Sequence, residues 1–355
     1  MTPGALILET GEIFKGLLSS DIIQAGEVVF NTSHLGYEEI ATDPSYYNQI
    51  LVMTAPLQGN YGSDLKYWQS EKIWIKAFVC LEMQNSLRDE QWLKTLTAHK
   101  IPILSSVDTR NLVLRLRRKG VIWGLVAPLS KKISVKQLIK QEQGKAKDWT
   151  KMVSVQKPKE FKGKKRTGLK IALIDFGYKK NILEELLQRS SMVCVFPSNS
   201  SPSTIKNWKP SALVLSNGPG DPKDVVEGTQ LVKKLLGFKP IFGICMGHQV
   251  LSQALGGRTY KLKFGHRGSN HPIQDKLLNR VYISAQNHGY VVNPKTLPKE
   301  VSISHINLND HTTAGIFSKK YKCLSVQFHP EHSPGPKEGT ALFDYFIKNL
   351  LKKGK

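Results

Sequence analysis

The segment "PIFGICMGHQVLSQALGG" (residues 240–257) joins a short apolar run to a stretch with helical periodicity. The run "PIFGI" (240–244) predicts a strand, and the stretch from His248 onward predicts a helix that ends at the pair Gly256–Gly257. Before it, apolar runs such as "KIALIDFG" alternate with helix-like stretches such as "KKNILEELLQRS". This alternation indicates a parallel sheet flanked by helices, with sites at the carboxyl ends of its strands.

The chain is long enough for two domains. Its 355 residues exceed the usual size of one hydrophobic core, and 40% of them are hydrophobic. Between about residues 144 and 168 the apolar periodicity is lost, and Lys, Gly and Pro dominate as they do in linkers. We therefore expect an N-terminal domain at 1–145, a basic linker at 146–168 and a second domain at 169–355.

The first domain is expected to be mixed α/β. The stretch "ALILETGEIFKG" predicts a hairpin that turns near Thr10 and Gly11. "EVVFNTS" and "QILVMTAP" predict further strands, and "SVDTRNLVLRLRRKG" predicts a helix capped by Asp108 and ended by Gly120. The apolar run near the N-terminus is too short for a signal peptide, and no later run could span a bilayer. A cytoplasmic protein is expected.

The formal net charge of +23 raises the question of a nucleic-acid partner. The densest basic runs are "LRLRRKG" (114–120), "KPKEFKGKKRTGLK" (157–170) and the C-terminal "KKGK". Clustered Lys and Arg neutralise phosphates in nucleic-acid-binding proteins. None of these runs interleaves aromatic residues as a base-stacking surface does, so we expect a lysine-rich surface and no nucleic-acid partner.

Of the four cysteines, Cys245 has the unusual setting. Cys80, Cys194 and Cys323 lie in apolar, strand-like segments and are expected to be buried fillers. In the G-x-C-x-G pattern, Cys245 stands where a strand gives way to a helix, a turn that can expose a nucleophile. A helix N-terminus also favours the thiolate over the thiol. This pattern alone leaves a reactive thiol and an inert one equally open.

The segment "QFHPEHSPG" (327–335) favours the reactive thiol. It follows the apolar run "KCLSVQF", so His329 and Glu331 are expected on one face of an extended segment. Pro330 supports this because it biases the preceding residue towards extended geometry. A base with an adjacent carboxylate that orients it is what a cysteine nucleophile requires. Together with Cys245, the pair predicts catalysis.

The segment "LSNGPGDP" (215–222) is a third candidate piece of the site. Its glycines allow unusual backbone angles and close approach of a ligand. An amide N–H in this loop could therefore stabilise an oxyanion, although the segment alone is equally compatible with a plain turn.

Taken together, "NGPGDP", "GICMGHQ" and "HPE" resemble, in order, the motifs of the class I glutamine amidotransferases. The resemblance covers the second domain. It implies hydrolysis of glutamine through a γ-glutamyl thioester on Cys245, with His329 as base and then acid, oriented by Glu331. The Met246 position usually carries leucine in that family, a mild change because the backbone acts there.

Further stretches resemble the small, glutaminase subunit family of carbamoyl-phosphate synthetases over nearly the full chain: "EVVFNTSHLGYEEIATDPSYYNQI", "VDTRNLVLRLRRKG", "KFGHRGSNHPI", "SAQNHGYVV" and "HPEHSPGP". Segment 141–168 matches poorly. The resemblance implies an oxyanion hole formed by the backbone N–H groups of Gly220 and Met246. It also implies a set of glutamine-binding residues: Ser45, Gly218, Gly220, Met246, Gln249, Asn287, Gly289 and Tyr290.

The same resemblance implies a partner, a large synthetase subunit that receives ammonia and makes carbamoyl phosphate for arginine and pyrimidine biosynthesis. ATP, Mg and bicarbonate would be used by that partner, and this chain would need no cofactor or metal. Heterodimers of the two subunits could assemble further, and no membrane is involved. Some relatives lack the cysteine and use free ammonia, which Cys245 argues against here.

Three alternatives stay open from the sequence. The chain could be the glutaminase of another amidotransferase, such as one in GMP or anthranilate synthesis, although the N-terminal "NTSHLGYEEI" argues against this. A cysteine peptidase or γ-glutamyl hydrolase on a similar fold is disfavoured by Gln249 and the "NGPGDP" loop. A non-catalytic nucleic-acid-binding protein rests on charge alone.

Overall fold

The computed structural model describes residues 1–86, 90–145, 147–166 and 168–351. The chain divides into two compact units. Unit 1 comprises Met1–Lys147 and Lys263–Gly268, and unit 2 comprises Asp148–Leu262 and Ser269–Lys355. The basic C-terminal run "KKGK" (352–355) lies outside the described residues, as do positions 146 and 167 of the predicted linker.

Unit 1 is mixed α/β, as the sequence predicts. Its strands are β1 (Thr2–Leu8), β2 (Ile13–Leu18), β3 (Gln24–Asn31), β4 (Gln49–Met53), β5 (Leu57–Gln58), β6 (Ala77–Val79), β7 (Glu82–Met83), β8 (Ile103–Ser105) and β9 (Ile122–Pro128). Its helices are α1 (Tyr37–Ala41), α2 (Trp92–Ala98), α3 (Thr109–Lys119) and α4 (Val135–Gln143).

The strands of unit 1 close into a barrel in the order β1-β2-β8-β6-β4-β3-β9. The predicted hairpin is confirmed, because β1 and β2 pair antiparallel up to Ile7 and Ile13 and Gly11 turns between them with φ +92°. The predicted helix is confirmed as α3, whose Asp108 side chain accepts a hydrogen bond from the Asn111 amide at 2.9 Å. Gly120 ends this helix with φ +98°.

Successive residues of the barrel strands alternate between two apolar clusters, one in the core of the barrel and one in a layer outside it. Leu6, Val28, Ile50 and Val52 pack in one cluster with Leu112 and Leu116 of α3. The intervening residues of β3 and β4 pack in another cluster with α1 and α2, because successive side chains of a strand point to opposite faces.

The segment Lys263–Gly268 is part of unit 1 although it follows the first 147 residues by more than a hundred positions. The Val121 amide donates to the Lys263 carbonyl at 2.9 Å, and the Thr32 amide donates to the Arg267 carbonyl at 3.1 Å. Phe264 packs on the barrel core, with its ring centroid 6.0 Å from that of Phe30. Unit 1 is therefore completed by a distant piece of sequence.

Unit 2 is built on one sheet. Its strands are β10 (Lys159–Lys162), β11 (Lys170–Asp175), β12 (Met192–Pro197), β13 (Ala212–Leu215), β14 (Ile241–Ile244), β15 (Arg258–Asp275), β16 (Arg280–Asn293), β17 (Ser302–Asn307), β18 (Thr313–Ser318) and β19 (Cys323–Val326). Its α-helices are α5 (Thr150–Val153), α6 (Lys180–Arg189), α7 (Pro202–Asn207), α8 (Val226–Leu235), α9 (Met246–Ala254) and α10 (Ala341–Phe346), and a π-helix (Ile347–Leu351) continues α10.

The strand order is β10-β12-β11-β13-β14-β19-β18-β16-β15-β17, and neighbours from β12 to β19 pair in parallel. Ile171 and Leu173 of β11 pack with α6 and α10, whereas Ala172 and Ile174 pack with α7, α8 and α9. Helices thus cover both faces of the parallel part, as predicted. The structure adds antiparallel strands at both sides of it, which the alternation pattern does not predict.

The stretch predicted as a linker belongs to unit 2 from residue 148 onward. It contains α5, and β10 pairs antiparallel with β12 from Lys159 to Lys162. β10 is an edge strand with mostly exposed side chains, so its basic composition resembles that of a linker. Within the described ranges, no helix is long and apolar enough to cross a membrane.

The contact of Phe264 predicts a local effect on stability. Replacing Phe264 by Ala should destabilise unit 1 by about 2 kcal/mol, less than loss of a fully buried Phe would cost, because the ring is partly exposed. Hydrogen exchange should accelerate at β3 and leave β11 and β13 unchanged. Tyr260→Ala, at an exposed position of the same long strand within unit 2, is the matched control. Faster exchange in β11 without a change in β3 would contradict the assignment of this segment.

Candidate active site

Four parallel strands of unit 2 end at the same edge of the sheet. β11 ends at Asp175, β13 at Leu215, β14 at Ile244 and β19 at Val326. The loops after β13, β14 and β19 carry the "NGPGDP", "CMGHQ" and "HPE" segments. Because the carboxyl ends of parallel strands lie together, the fold assembles these three distant segments into one region.

Cys245 lies in a sharp turn between β14 and α9. Its backbone has φ 53° and ψ −103°, an unfavourable conformation for a residue with a side chain, costing about 1–3 kcal/mol. The Cys245 amide donates to the Val326 carbonyl at 2.8 Å, and the Gly247 amide donates to the Ser216 carbonyl at 2.9 Å. These bonds hold the turn against the ends of β13 and β19.

The glycine at 247 is required by close approach of the backbone. A Cβ atom on Gly247 would lie 2.3 Å from the Leu215 carbonyl oxygen, a separation that no side chain tolerates. A Cβ on Gly243 would lie 2.7 Å from the Gly247 carbonyl oxygen. The two glycines of the G-x-C-x-G pattern therefore let helix α9 begin directly against the neighbouring strand.

The thiol of Cys245 is 2% exposed and is surrounded by polar groups. Its Sγ donates to the Asn287 carbonyl at 3.5 Å, and Nε2 of Gln327 donates to Sγ at 3.7 Å. The other three cysteines are buried fillers, as predicted. Burial raises the pKa of Cys80 and Cys323 to about 12 and that of Cys194 to about 11.

His329 and Glu331 form a buried pair after β19. Nδ1 of His329 lies 2.7 Å from Oε1 of Glu331, and the His329 amide donates to the Ala285 carbonyl at 2.9 Å. Burial disfavours the charged imidazole, but the Glu331 carboxylate outweighs it and raises the pKa of His329 to about 10. Among the described residues, Nε2 of His329 has no fully formed hydrogen bond, although the Cys245 thiol is close enough to favour the protonated ring.

Lys179 is a component of the site that the sequence analysis does not identify. Its Nζ lies 2.8 Å from Oε1 of Glu331 and donates to the His332 carbonyl at 2.7 Å, while its side chain is 3% exposed. Burial raises the pKa of Glu331, but Lys179 and then His329 outweigh this and lower that pKa to about 2. Glu331 is thus an ionised carboxylate held between two cationic partners.

The loop after β13 approaches the backbone closely. A Cβ on Gly218 would lie 2.2 Å from the Phe176 carbonyl oxygen, and Gly220 has φ +95°. Ser216 fixes the start of the loop, because its Oγ accepts a hydrogen bond from the Phe176 amide at 2.9 Å. Both glycines are therefore required by the backbone path, in addition to any contact with a ligand.

The remaining predicted residues of unit 2 belong to α9 and β16. Met246 is the first residue of α9, so its amide N–H has no partner within the helix. Nε2 of Gln249 donates to the Tyr290 carbonyl at 2.7 Å and to Oε1 of Gln327 at 3.0 Å. Asn287, Gly289 and Tyr290 follow one another along β16, and the Asn287 carbonyl contacts Sγ of Cys245.

Ser45 is the one predicted residue that belongs to unit 1. It lies in a short 3-10 turn (Pro44–Tyr46) that precedes β4, and its amide donates to Oδ1 of Asp43 at 2.9 Å. The structure therefore connects Cys245 with Asn287 directly and with Gln249 and Tyr290 through Gln327. Gly218 and Gly220 lie in the loop after β13, and the binding role of Ser45 remains a prediction. No cluster of three potential metal ligands occurs in the described part of the chain.

This arrangement provides the groups needed for covalent catalysis at a carbonyl. A thiol stands at a helix N-terminus, an imidazole is close to it, and a buried carboxylate orients that imidazole through Nδ1. Glycine-rich backbone and the first amide of α9 flank the thiol and could bind a developing oxyanion.

Comparison with known proteins gives the family. Residues 172–349 match the family model "Glutamine amidotransferase class-I", and residues 6–126 match "Carbamoyl-phosphate synthase small chain, CPSase domain". The chain is 44% identical over 354 residues to the carbamoyl phosphate synthase small chain of Caldanaerobacter subterraneus subsp. tengcongensis, covering 98% of this chain and 96% of the relative.

Two further relatives extend this result. The carbamoyl phosphate synthase small chain of Clostridium perfringens is 44% identical, with 98% of this chain and 99% of the relative covered. The carbamoyl phosphate synthase pyrimidine-specific small chain of Halalkalibacterium halodurans is 41% identical, with 99% and 97% covered. With both units matched and nearly the full length aligned, the chain belongs to the carbamoyl-phosphate synthase small chain family.

Proposed function

We propose that this chain is the glutaminase subunit of a carbamoyl-phosphate synthetase and hydrolyses L-glutamine to glutamate and ammonia. The observation that carries the proposal is the buried arrangement of Cys245, His329 and Glu331 at the carboxyl edge of the sheet. The N-terminal match at 6–126 argues against the glutaminase of another amidotransferase, because that region lies outside the amidotransferase domain.

The reaction begins when the thiol proton of Cys245 passes to His329 and the resulting thiolate attacks the side-chain amide carbon of glutamine. The C–S bond forms as the carbonyl oxygen becomes an oxyanion, which the backbone N–H groups of Gly220 and Met246 stabilise. When the oxyanion collapses, the C–N bond breaks and His329 returns its proton to the departing ammonia, leaving a γ-glutamyl thioester.

The second half of the reaction regenerates the thiol. His329, now neutral, accepts a proton from water as the water attacks the thioester carbon. Collapse of this second oxyanion releases glutamate, and His329 returns the proton to Cys245. Glu331 stabilises the imidazolium in both halves, and Lys179 keeps Glu331 ionised and in place at 2.8 Å.

We assign glutamine binding to Gly218, Gly220, Met246, Gln249, Asn287, Gly289 and Tyr290 of unit 2 and to Ser45 of unit 1. Gln249 donates to the Tyr290 carbonyl and to Oε1 of Gln327, which gives the substrate a preorganised amide-rich wall.

The ammonia is delivered to a large synthetase subunit, which uses ATP, Mg and bicarbonate to form carbamoyl phosphate for arginine and pyrimidine biosynthesis. In this proposal the small chain requires no cofactor and acts in the cytoplasm without nucleic acid. Its excess of lysine is a property of its surface and is separate from the chemistry of the site.

Replacing Cys245 by Ser should abolish glutamine hydrolysis, with a loss of at least about 10³-fold, because no other group can form the thioester. Ammonia-dependent carbamoyl phosphate synthesis by the complex with the large subunit should persist. Release of ammonia from glutamine, measured in the purified complex, checks this. Cys194→Ala, which removes another buried thiol of unit 2, should retain activity. Undiminished hydrolysis in the Cys245 variant would overturn the assignment.

Replacing Glu331 by Gln should lower the pKa of His329, because the charge that opposes the effect of burial is removed. Glutaminase kcat should fall by about 10²-fold or more. The ionised Glu331 stabilises the fold above its ordinary pKa of 4.5, and this is lost as pH falls through about 2. The protonated His329 stabilises the fold below its ordinary pKa of 6.5, and this is lost as pH rises through about 10.

The difference in thermal stability between the wild type and Glu331→Gln should therefore be largest between pH 4.5 and 6.5 and should shrink on both sides. Melting temperatures across the pH range measure it. Glu338→Gln changes an exposed carboxylate nearby in sequence and should show no such dependence. A constant difference from pH 3 to pH 10 would show that the pair is not ionised as described.

A further inference from the structure

The segment 148–156 crosses the edge of the sheet where the site lies, although it precedes the first parallel strand in sequence. The Val155 amide donates to Oδ2 of Asp175 at 2.7 Å, at the end of β11. Oγ of Ser154 accepts from the Ser198 amide at 3.0 Å, just after β12. Lys151 pairs with Glu227 of α8 at 2.7 Å. We call residues 148–156 the strap.

The strap is anchored in the interior at one end. Asp175 is 1% exposed, and its Oδ1 accepts from the amides of Gly177 and Tyr178, both at 2.8 Å. Thr150 is fully buried and donates through its Oγ1 to Asp148. Buried and bonded in this way, the strap has a fixed position relative to the ends of β11 and β12.

The strap places an indole beside the "NGPGDP" loop. A Cβ built on Gly220 would lie 3.6 Å from Cβ, 3.7 Å from Cε3 and 3.8 Å from Cδ2 of Trp149. These are ordinary van der Waals separations, so the partly exposed Trp149 borders the space beside Gly220 that a Cβ atom would occupy. Gly220 itself has φ +95°, a conformation that glycine adopts without a steric penalty and also leaves easily.

We propose that Trp149 is a positioning residue for the Gly220 amide: its indole packs on the loop and fixes the direction of that N–H during oxyanion formation. The inference rests on the proposed function, because it deepens the role of Gly220 in glutamine hydrolysis. A glycine with φ +95° and no side chain needs a neighbour to restrict it, and the anchored strap supplies that neighbour. The effect falls on the transition state, since a donor displaced by about 1 Å costs about 10²-fold in rate.

Trp149→Ala should therefore lower kcat for glutamine hydrolysis by about 10- to 100-fold while KM changes by less than about threefold. Trp149→Phe keeps an aromatic ring against Gly220 and should retain kcat within about threefold. Ser154→Ala, which loosens the strap without altering the indole, should lower kcat in the same direction by a smaller factor. Trp208→Ala is the matched control, a partly buried Trp of unit 2 that packs on Phe196.

Fluorescence gives a readout that a purely structural role would not produce. Glutamine added to the inactive Cys245→Ser protein should change tryptophan emission, and the change should be absent from Cys245→Ser combined with Trp149→Phe. The combination of Cys245→Ser with Trp208→Phe should keep the change.

Wild-type kcat in Trp149→Ala, or a glutamine-dependent emission change that survives Trp149→Phe, would overturn the proposal. A rise in KM with unchanged kcat in Trp149→Ala would also overturn the proposal, because it would indicate that Trp149 acts in ground-state binding of glutamine. These results are separable from failure of the proposed function, which would appear as glutamine hydrolysis that persists in Cys245→Ser alone.

Discussion

The site depends on one strained residue, Cys245, whose backbone is held in a left-handed conformation by hydrogen bonds to the ends of two neighbouring strands. The surrounding contacts maintain this strained conformation. Gly247 lies against Leu215, and the Cys245 amide donates to the Val326 carbonyl. This turn places the thiol at the carboxyl edge of the sheet, at the start of α9. It also sets the position of the "HPE" segment, which continues from the strand that holds the turn.

The electrostatics of the site are built around Glu331, a carboxylate with no exposed surface. A buried charge is costly unless it is paired, and Glu331 has His329 at 2.7 Å and Lys179 at 2.8 Å on the same oxygen. The imidazole therefore has one defined orientation, with Nδ1 towards Glu331. Lys179 binds the same carboxylate, so Glu331 stays ionised whether or not His329 holds its proton.

The parts of the site that could be predicted from sequence are those whose pattern lies within a few consecutive residues. The glycines around Cys245 and the spacing of His329 and Glu331 report backbone demands within a few residues, and each has a stated physical reason. Lys179 and Trp149 could not be found in this way, because nothing local distinguishes a buried Lys from the many exposed ones in so basic a chain. The edge strand β10 resembles a linker in sequence for a related reason: its mostly exposed residues lack the apolar pattern of a strand. The antiparallel part of the sheet is not predicted by the apolar pattern because its long strands are largely polar.

The piece of unit 1 supplied by residues 263–268 has a consequence for synthesis on the ribosome. The barrel strands are complete by residue 128, but the segment that binds Thr32 and Val121 is translated only after most of the parallel sheet of unit 2. At about 5–20 residues per second, the nascent barrel waits roughly 7 to 27 s for Phe264. Over that interval the core under Phe30 is uncovered where Phe264 will pack. The two units therefore mature together at the end of translation rather than one after the other.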